Sequence, residues 1–339
     1  MIEKIPFIIA EMSGNHNQSL ERALAIVDAA ADAGVDAVKI QTYTADTMTI
    51  DIDTGEFFIS DKDSLWKGET LYHLYEKAHT PWEWHKAIFE RCKERGIMGF
   101  STPFDDTSVD FLEDLGVPCY KIASFENVDL PLIRKVARTG KPIIASTGMT
   151  TVAELLDLVQ TVRENGCTDL TLLKCTSSYP ASPEGTNLRT IPHMRELFSC
   201  AVGLSDHTLG IGAAVASVAL GATVIEKHFT LSRAEGGFDA AFSLEPAEMA
   251  QLVRECRTAA LALGAVSYER AEQEQKSLQF RRSLYVVEDM KAGDVFTEKN
   301  LRRIRPGMGL SPKYYDIILG KKANCNITRG TAVQWDLIE

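Results

Sequence analysis

The sequence lacks the features that mark membrane, secreted and nucleic-acid-binding proteins. No apolar run is long enough to span a bilayer, and the first run, FIIAE, is too short for a signal peptide. The seven cysteines are odd in number and include no CxxC pair, which indicates reduced thiols and a cytoplasmic protein. Because 47 Asp and Glu outnumber 36 Lys and Arg, we expect no nucleic-acid partner.

What the sequence does contain is a repeated pattern of short apolar runs, each ending in a polar or ionisable residue. Amphipathic stretches that stop at glycine separate most of these runs. Strands buried on both faces are continuously apolar, and their alternation with helices indicates a parallel sheet. Eight such units predict a closed (β/α)8 barrel, the TIM barrel, with its chemistry at the carboxyl ends of the strands. The runs are residues 7–11, 37–41, 97–102, 119–124, 142–147, 170–175, 201–206 and 223–228.

The chain is long enough for this barrel and one small further domain. We assign the barrel to residues 1–264, a polar linker to 265–281 and a mostly β domain to 282–339. The last segment has short β-type runs and turn signals such as KAGD and RPGMG. Within the barrel, residues 80–83 (TPWE) and 151–154 (TVAE) have the pattern of capping boxes, which predicts a helix start at each.

Two histidines follow neighbouring strands. His207 comes directly after the seventh run and His228 ends the eighth, so adjacent parallel strands would present both imidazoles at one level. Two neutral imidazoles, with water and substrate oxygens completing the shell, suit a divalent metal that polarises a carbonyl. We expect Asp206 to orient a loop or a histidine. The alternative is that each histidine only hydrogen-bonds within its loop; His16 is a weaker candidate for the site.

Two lysines lie inside apolar runs, where an unpaired ammonium group would be costly to bury. We therefore expect Lys39 and Lys121 to point into the barrel mouth, toward an anion or toward a carboxylate such as Glu11 or Glu126. Hydroxyl groups at the same level can donate to carboxylate or phosphate oxygens. These hydroxyl groups belong to Thr102, Ser124, Ser146 and Ser205.

The same residue types leave two chemistries open. Glu11, Glu126 and Asp239 can act in acid–base catalysis or anchor hydroxyl groups of a substrate. A Schiff-base aldolase would instead need one lysine with a lowered pKa in an apolar niche. The candidates for that lysine are Lys39, Lys121 and Lys174.

Motifs in both parts of the chain resemble the sialic acid synthase family, in order and over essentially the whole length. The tail resembles the SAF (antifreeze-like) domain of that family. The barrel motifs are IAEMSGNHNQSLERA, VKIQTY, STPFD, YKIAS, STGMTT, CTSSYP, GLSDHTLG and EKHFT. The tail motifs are FRRSLYVVEDMKAGDVFT, RPGMGLSP and GKKANCNITRG. The tail alone would also allow an ice-binding or carbohydrate-binding module, but such a module would not need eight functional strand ends.

The resemblance implies an enzyme that condenses phosphoenolpyruvate with an open-chain amino sugar, giving a nine-carbon 2-keto acid and phosphate. A divalent metal, usually manganese with magnesium or cobalt as alternatives, would be bound by His207 and His228. The lysines and hydroxyl groups named above would bind the phosphate and carboxylate groups. Glu11 and Asp239 would contact sugar hydroxyls or water, and Glu126 would activate the water that attacks C2.

The resemblance also implies a pocket wall and a partner subunit. Gln41, Phe104 and Tyr179 would line the pocket. In the family, the SAF domain of one subunit covers the barrel of the other in a domain-swapped homodimer. Arg305 would then reach the sugar bound by the partner subunit, and Phe280 would pack near that sugar.

Three segments most resemble one branch of the family, the pseudaminic acid synthases, whose sugar is 2,4-diacetamido-2,4,6-trideoxy-L-altrose. These segments are SLWKGETLYHLYEKAHTPWEWH, YKIASFE and GGFDAAFSLEP. Synthases of legionaminic acid or N-acetylneuraminic acid would use nearly the same catalytic residues. However, sialic acid synthases carry asparagine where Ser177 lies, and a short hydroxyl would not make the same contacts with the acyl amide of N-acetylmannosamine.

Overall fold

The computed structural model describes residues 5–60 and 66–339. The chain divides into two compact units, Met1–Gly264 and Ala265–Glu339. The segment that the sequence marks as a linker, 265–281, therefore belongs to the second unit, where Glu272–Phe280 forms a 3-10 helix. The first two residues of the segment SLWKGETLYHLYEKAHTPWEWH lie outside the described residues.

Eight parallel strands close into a barrel in the order of the chain, which confirms the predicted TIM-barrel fold. Every strand lies within its predicted apolar run or extends one residue beyond it. Most strand residues are buried on both faces of the sheet, which explains why the runs are continuously apolar. The strands are β1 Phe7–Glu11, β2 Ala37–Thr42, β3 Met98–Pro103, β4 Tyr120–Ile122, β5 Ile143–Ser146, β6 Leu170–Cys175, β7 Ala201–Asp206 and β8 Val224–His228.

Helices alternate with the strands and pack their apolar sides on the outside of the barrel. Several begin at a side-chain cap, as where Ser19, Asp105 and Asp129 accept backbone N–H groups. None of the helices within residues 5–60 and 66–339 is long and apolar enough to cross a membrane. The helices of this unit are α1 Leu20–Asp32, α2 Ala45–Met48, α3 Leu71–Ala78, α4 His85–Glu94, α5 Asp106–Asp114, α6 Leu130–Arg138, α7 Val152–Glu164, α8 Thr190–Phe198, α9 Gly212–Ala219 and α10 Pro246–Leu263.

The predicted capping box at residues 80–83 is wrong. Trp82–Trp84 forms a 3-10 turn, and α4 begins only at His85, without a side-chain cap. The hydroxyl of Thr80 hydrogen-bonds Nε2 of the buried His16 at 3.2 Å instead. The Thr80 hydroxyl, which would have capped the helix, therefore makes a tertiary hydrogen bond.

The barrel interior changes from apolar to polar toward the carboxyl ends of the strands. Side chains two positions apart on a strand share one face. If one side chain points into the barrel, the side chain two residues later therefore points inward as well. The interior apolar layer contains Ile9, Ala37, Phe100, Cys119, Ile144, Leu173 and Val224. The residues two positions later are Glu11, Lys39, Thr102, Lys121, Ser146, Cys175 and Glu226, all buried. Every one of them is polar or ionisable, and together they form the polar layer.

The second unit has a small core of its own. Its strands β9, Ser283–Val286, and β10, Leu301–Ile304, pair in antiparallel fashion, and isolated bridges join further segments. A short helix, α11, spans Tyr315–Ile318. The core contains Leu284, Val286, Met290, Phe296, Leu301, Ile318, Ala323, Ile327 and Val333. Short extended segments rather than long strands thus build this unit.

The capping box predicted at residues 151–154 is present and should stabilise α7. The Thr151 hydroxyl accepts the Glu154 N–H, and the Glu154 carboxylate accepts the Thr151 N–H at 2.8 Å. We expect Thr151→Ala to lower the free energy of unfolding by about 1 kcal/mol, measured by urea unfolding. The control, Gln160→Ala at an exposed position of the same helix, should cost nothing. Equal losses in the two variants would contradict the role of the cap.

Candidate active site

Four charged side chains of the polar layer form a buried network. Lys39 Nζ lies 2.7 Å from the Glu11 carboxylate and 4.0 Å from Glu226 Oε1. Lys121 Nζ lies 3.8 Å from the same oxygen of Glu226. Because all four side chains are almost inaccessible to solvent, their mutual attractions are weakly screened. Two amino groups and two carboxyl groups are therefore paired inside the barrel.

Burial and pairing act in opposite directions on the pKa values of the two lysines. Burial lowers the pKa of Lys39, but the carboxylates of Glu11 and Glu226 outweigh this effect and raise the pKa above its ordinary value. For Lys121 the effect of burial exceeds the attraction of Glu226, and its pKa is lowered. Lys39 is thus held as an ammonium group, and Lys121 loses its proton more readily.

Hydroxyl groups surround the two amino groups. Lys39 Nζ donates to Thr102 Oγ1 at 3.1 Å, and Lys121 Nζ donates to Ser146 Oγ at 2.6 Å. The Ser205 hydroxyl donates at 3.2 Å to the carboxylate that lies between the lysines. Three of the four predicted hydroxyl groups therefore contact the charged network, and amino and hydroxyl groups of this kind can bind carboxylate or phosphate oxygens.

The fourth predicted hydroxyl, that of Ser124, contacts the loop after β5. It accepts the Gly148 N–H at 3.1 Å. A Cβ atom at Gly148 would lie 2.7 Å from Ser124 Oγ and nearer still to Ser177 Oγ, so this position requires glycine. The Asn127 amide supports the same loop by donating to the carbonyls of Ser146 and Gly148, each at 3.2 Å. Ser177 therefore lies near Ser124, and its hydroxyl is 3.9 Å from Cys175 Sγ of the polar layer.

The imidazoles of His207 and His228 lie side by side, with ring centroids 5.3 Å apart. His207 Nδ1 lies 3.0 Å from the Thr176 carbonyl oxygen, which leaves Nε2 for a ligand. In the part of the chain that the structure describes, His228 Nδ1 has no hydrogen-bond partner and lies 3.6 Å from Asp239 Oδ2. Burial lowers the pKa of His228 well below its ordinary value, so its imidazole is neutral, as a metal ligand must be.

These donors fit part of a metal site. Imidazole nitrogens together with the Asp239 carboxylate suit a divalent cation such as manganese. Burial lowers the pKa of His207, but contacts with Cys175 and the Thr176 carbonyl outweigh it and raise the pKa, so a proton competes with a cation there. No three or more His, Cys, Asp and Glu side chains in residues 5–60 and 66–339 are grouped to hold a metal by themselves. Water and substrate oxygens would have to complete the shell.

A second set of polar contacts connects β1 and β2 to the loop that carries Asp239. The Gln41 amide donates to Glu11 Oε1 at 3.0 Å and to Ser13 Oγ at 3.1 Å. Ser13, at a left-handed φ of 47°, also hydrogen-bonds Asp239. Burial raises the pKa of Asp239 despite this hydrogen bond. Glu11, Gln41 and Asp239 are thus brought together, near one of the two histidines.

Glu126 lies after β4 and is affected by the same lysines. Burial raises its pKa to about 7, against the opposing attraction of Lys121 and Lys39. Its Oε2 atom is buried and accepts no hydrogen bond from any residue that the structure describes. The carboxyl group can therefore change its protonation state near neutral pH.

Aromatic rings form a wall beside the histidines. The Tyr179 ring lies 4.5 Å from the ring of His207 and 5.3 Å from that of Phe242, between centroids. The Trp66 ring lies 6.3 Å from the Tyr179 ring, and its indole N–H donates to the Phe238 carbonyl at 3.2 Å. The long loop after β2 therefore contacts the loop after β8 at this wall.

Five other candidates remain, three in the first unit and two in the second. Phe104 packs edge-on against the Tyr43 ring at 5.2 Å, and His16 is buried against the hydroxyl already described. Lys174 donates to the backbone carbonyl of the next residue at 2.8 Å and lines a separate cavity of about 580 Å³. Phe280 and Arg305 belong to the second unit, where both side chains are exposed.

The sequence profile of the NeuB family matches residues 26–268, and that of the SAF domain matches residues 281–339. The chain belongs to the NeuB family. This membership confirms the resemblance to sialic acid synthases and to their SAF domain that the motifs indicated.

Individual members of the NeuB family match the chain over almost its full length. A pseudaminic acid synthase of Campylobacter jejuni is 46% identical over 332 residues, which are 98% of this chain and 96% of the relative. An N,N'-diacetyllegionaminic acid synthase of the same species is 37% identical over 327 residues, 95% of this chain and 97% of the relative. The crystal structure of a sialic acid synthetase from Leptospira borgpetersenii has a TM-score of 0.71 at 32% identity, covering 81% of this chain and 91% of that chain.

Two residues of this candidate site were assigned no role from the sequence. Glu226 lies between the two lysines, and Asn127 supports the loop of Gly148. Glu226 had a usable signal, because it shares its strand face with His228, two positions later. Asn127 had none, since its role depends on a loop distant in sequence.

The network predicts a specific effect of removing Glu226. Among the described residues it is the only carboxylate within 4.0 Å of Lys121, so Glu226→Gln leaves a buried amino group without a counter-charge. We expect a loss of about 3 kcal/mol in the free energy of unfolding. Unfolding is measured by tryptophan fluorescence, since three of the four tryptophans lie in the first unit. Adding Lys121→Met to this variant should recover part of the loss.

The control for this experiment is Glu235→Gln. Glu235 pairs with Arg22 at the surface, where its side chain is 53% exposed, so its loss should cost less than about 1 kcal/mol. A Glu226→Gln variant as stable as the unmodified protein, or no recovery in the double variant, would show that the two groups are not coupled.

Proposed function

We propose that the protein synthesises pseudaminic acid from phosphoenolpyruvate and 2,4-diacetamido-2,4,6-trideoxy-L-altrose, with release of phosphate. The observation that carries the proposal is the convergence of two buried lysines and two adjacent imidazoles in one barrel interior. The identity of 46% with a pseudaminic acid synthase, against 37% with a legionaminic acid synthase, favours this sugar. N-acetylneuraminic acid and legionaminic acid remain the alternative products.

The lysines and hydroxyl groups would bind phosphoenolpyruvate. This substrate carries a phosphate and a carboxylate, and amino groups ringed by hydroxyls form charge-assisted hydrogen bonds with such groups. Lys121 and Lys39 supply the charge, and the loop of Gly148 fixes the position of Ser124. The buried position of these groups excludes bulk water and strengthens each contact.

The open-chain sugar would bind on the side of the histidines. His207 and His228 would hold a divalent metal together with water and substrate oxygens. Such a metal, when bound, makes the sugar aldehyde electrophilic as a Lewis acid. Asp239 and Glu11 would accept hydrogen bonds from sugar hydroxyls, and Gln41 orients Glu11. The aromatic wall with Tyr179 would contact the apolar parts of the sugar.

The proposed reaction joins C3 of phosphoenolpyruvate to the aldehyde carbon, and the aldehyde oxygen takes up a proton to become a hydroxyl group. Positive charge develops at C2 as the bond forms, and a water molecule adds there. Glu126 would accept a proton from this water, because its buried carboxyl group has a pKa near 7. The phosphate then leaves by cleavage of the C2–O bond, and the hydroxyl group added at C2 loses its proton to become the keto oxygen. No covalent lysine intermediate is needed.

We further propose a cytoplasmic, domain-swapped homodimer. All seven cysteines are free thiols, as expected in a reducing compartment. The exposed side chains of Phe280 and Arg305 would approach the sugar bound by a second copy of the chain. Sedimentation of the purified chain tests this state directly, and a monomer at working concentrations would oppose it.

The function is tested by phosphate release from phosphoenolpyruvate with each candidate sugar in turn. We expect the highest kcat/KM with 2,4-diacetamido-2,4,6-trideoxy-L-altrose, because the relative that shares more of the sequence is named for that product. Dominant turnover of N-acetylmannosamine would overturn the choice of sugar. Release with none of the sugars would overturn the synthase itself.

Removing the metal separates this reaction from a Schiff-base aldolase, which the lowered pKa of Lys121 would favour. We expect a chelator to abolish activity and Mn2+ to restore it, and His207→Ala and His228→Ala to weaken Mn2+ binding. The control is His193→Ala, at an exposed position on α8, which should bind Mn2+ normally. Activity that survives chelation, combined with borohydride inactivation in the presence of pyruvate, would favour the aldolase.

The pKa of Glu126 predicts a pH dependence. The base must be unprotonated, so kcat/KM should rise about tenfold per pH unit below pH 7 and level off above it. Lys121, Lys39 and Asp129 are the charged groups that influence this carboxyl. Glu126→Gln should lower the rate and remove this acidic limb; a limb that persists in the variant would assign it to another group.

A further inference from the structure

The outer faces of β7 and β8 carry a buried ion pair among apolar side chains. Leu204 and Ile225 on these faces belong to the core between strands and helices. Asp206 and Lys227, each two positions later, share those faces. Lys227 Nζ lies 2.7 Å from Asp206 Oδ2, and their side chains are 0% and 1% exposed. The pair therefore lies on the side of the barrel wall opposite to the polar layer.

The ion pair is joined to the turn that follows β7. Lys227 Nζ also donates to the Thr208 carbonyl oxygen at 2.5 Å. Asp206 Oδ1 accepts both the Thr208 N–H, at 2.9 Å, and the Thr208 hydroxyl, at 2.8 Å. Residues 206 and 227 are direct partners in the strand pairing, so these bonds connect both strand ends and the turn in one unit.

Each member of the pair is the immediate neighbour of one imidazole. Asp206 precedes His207, and Lys227 precedes His228. Lys227 and His228 are successive residues of β8 and point to opposite faces, so fixing Lys227 fixes the direction of His228. His207 follows β7 and lies between Asp206, a member of the pair, and Thr208, which hydrogen-bonds both members. The 5.3 Å separation of the two rings therefore depends on the backbone that this pair holds.

Stability alone does not explain a buried ion pair at this place. Desolvation of two charges offsets most of their attraction, and apolar residues of similar size are often at least as stabilising. A pair with directional bonds to a turn does what an apolar contact cannot, because it specifies one geometry of that turn.

We propose that Lys227 and Asp206 are positioning residues that set the relative placement of the His207 and His228 imidazoles for a divalent cation. This inference rests on the proposed function, in that it requires the two histidines to bind the metal. Residues that orient metal ligands without binding the metal themselves typically contribute 10- to 100-fold to metal affinity.

The test measures Mn2+ affinity of the full chain without substrates, from the electron paramagnetic resonance signal of free Mn2+. The variants are Lys227→Met, which leaves Asp206 unpaired, and Asp206→Asn/Lys227→Met, which keeps the amide oxygen that accepts from Thr208 but removes both charges. We expect the double variant to fold with a Tm near that of the unmodified protein and to bind Mn2+ about 10-fold or more weakly. The KM for phosphoenolpyruvate at saturating Mn2+ should change little. General damage to the barrel would instead raise both this KM and the dissociation constant for Mn2+.

The matched control is Asp36→Asn/Arg257→Met. Arg257 Nη2 lies 3.0 Å from Asp36 Oδ1, just before the start of β2, so a pair of opposite charges is removed at a part-exposed position far from the carboxyl ends of the strands. This control should bind Mn2+ normally. If the double variant at 206 and 227 folds and binds Mn2+ as tightly as the unmodified protein, the inference is wrong.

The same titration separates the inference from the function on which it depends. If the unmodified protein and His207→Ala bind Mn2+ equally weakly, both the metal site and the inference fail. If only the His207→Ala variant loses affinity and the double variant does not, the metal site stands and the inference alone fails.

Discussion

Balanced charge inside the barrel is the constraint on which the rest of the structure depends. Lys39 and Lys121 could not be buried without carboxylates within a few ångströms, and Glu11 and Glu226 supply them. The apolar layer below gives these groups a rigid, water-free floor. Charged chemistry is therefore confined to one end of the barrel, where substrate can enter and complete the contacts of each group.

The period of two residues along the strands lets one short segment serve two purposes. On β8, Glu226 and His228 point inward to the polar layer and the mouth, whereas Lys227 points outward and bonds Asp206 of the neighbouring strand. Inward side chains can contact a substrate in the barrel mouth, and outward side chains fix the positions of the strand ends. Consecutive residues in the sequence therefore have separate physical roles, although they look like one polar motif.

This period also explains what could be predicted from the sequence. Continuous apolar runs and terminal glycines located the strands to within a residue or two, because burial on both faces is a local property of the chain. The burial of Lys39 and Lys121 inside the barrel followed from the cost of an unpaired charge. The strand pattern predicts that Glu226 points inward, but its pairing with Lys39 and Lys121 depends on two other strands. The failed cap at Thr80 depends on a contact with His16 that no local pattern records.

The geometry of the network assigns different roles to the two lysines in the proposed reaction. Lys39 is 2.7 Å from Glu11, and the surrounding carboxylates hold it as an ammonium group. Lys121 is 3.8 Å from its carboxylate, so it is less fully neutralised and its strong contact is the hydroxyl of Ser146 at 2.6 Å. An arriving phosphate or carboxylate would compete with a close ion pair at Lys39 but only with a distant one at Lys121. An anion bound at Lys121 would in turn favour the protonated amine, so binding and protonation at this residue reinforce each other.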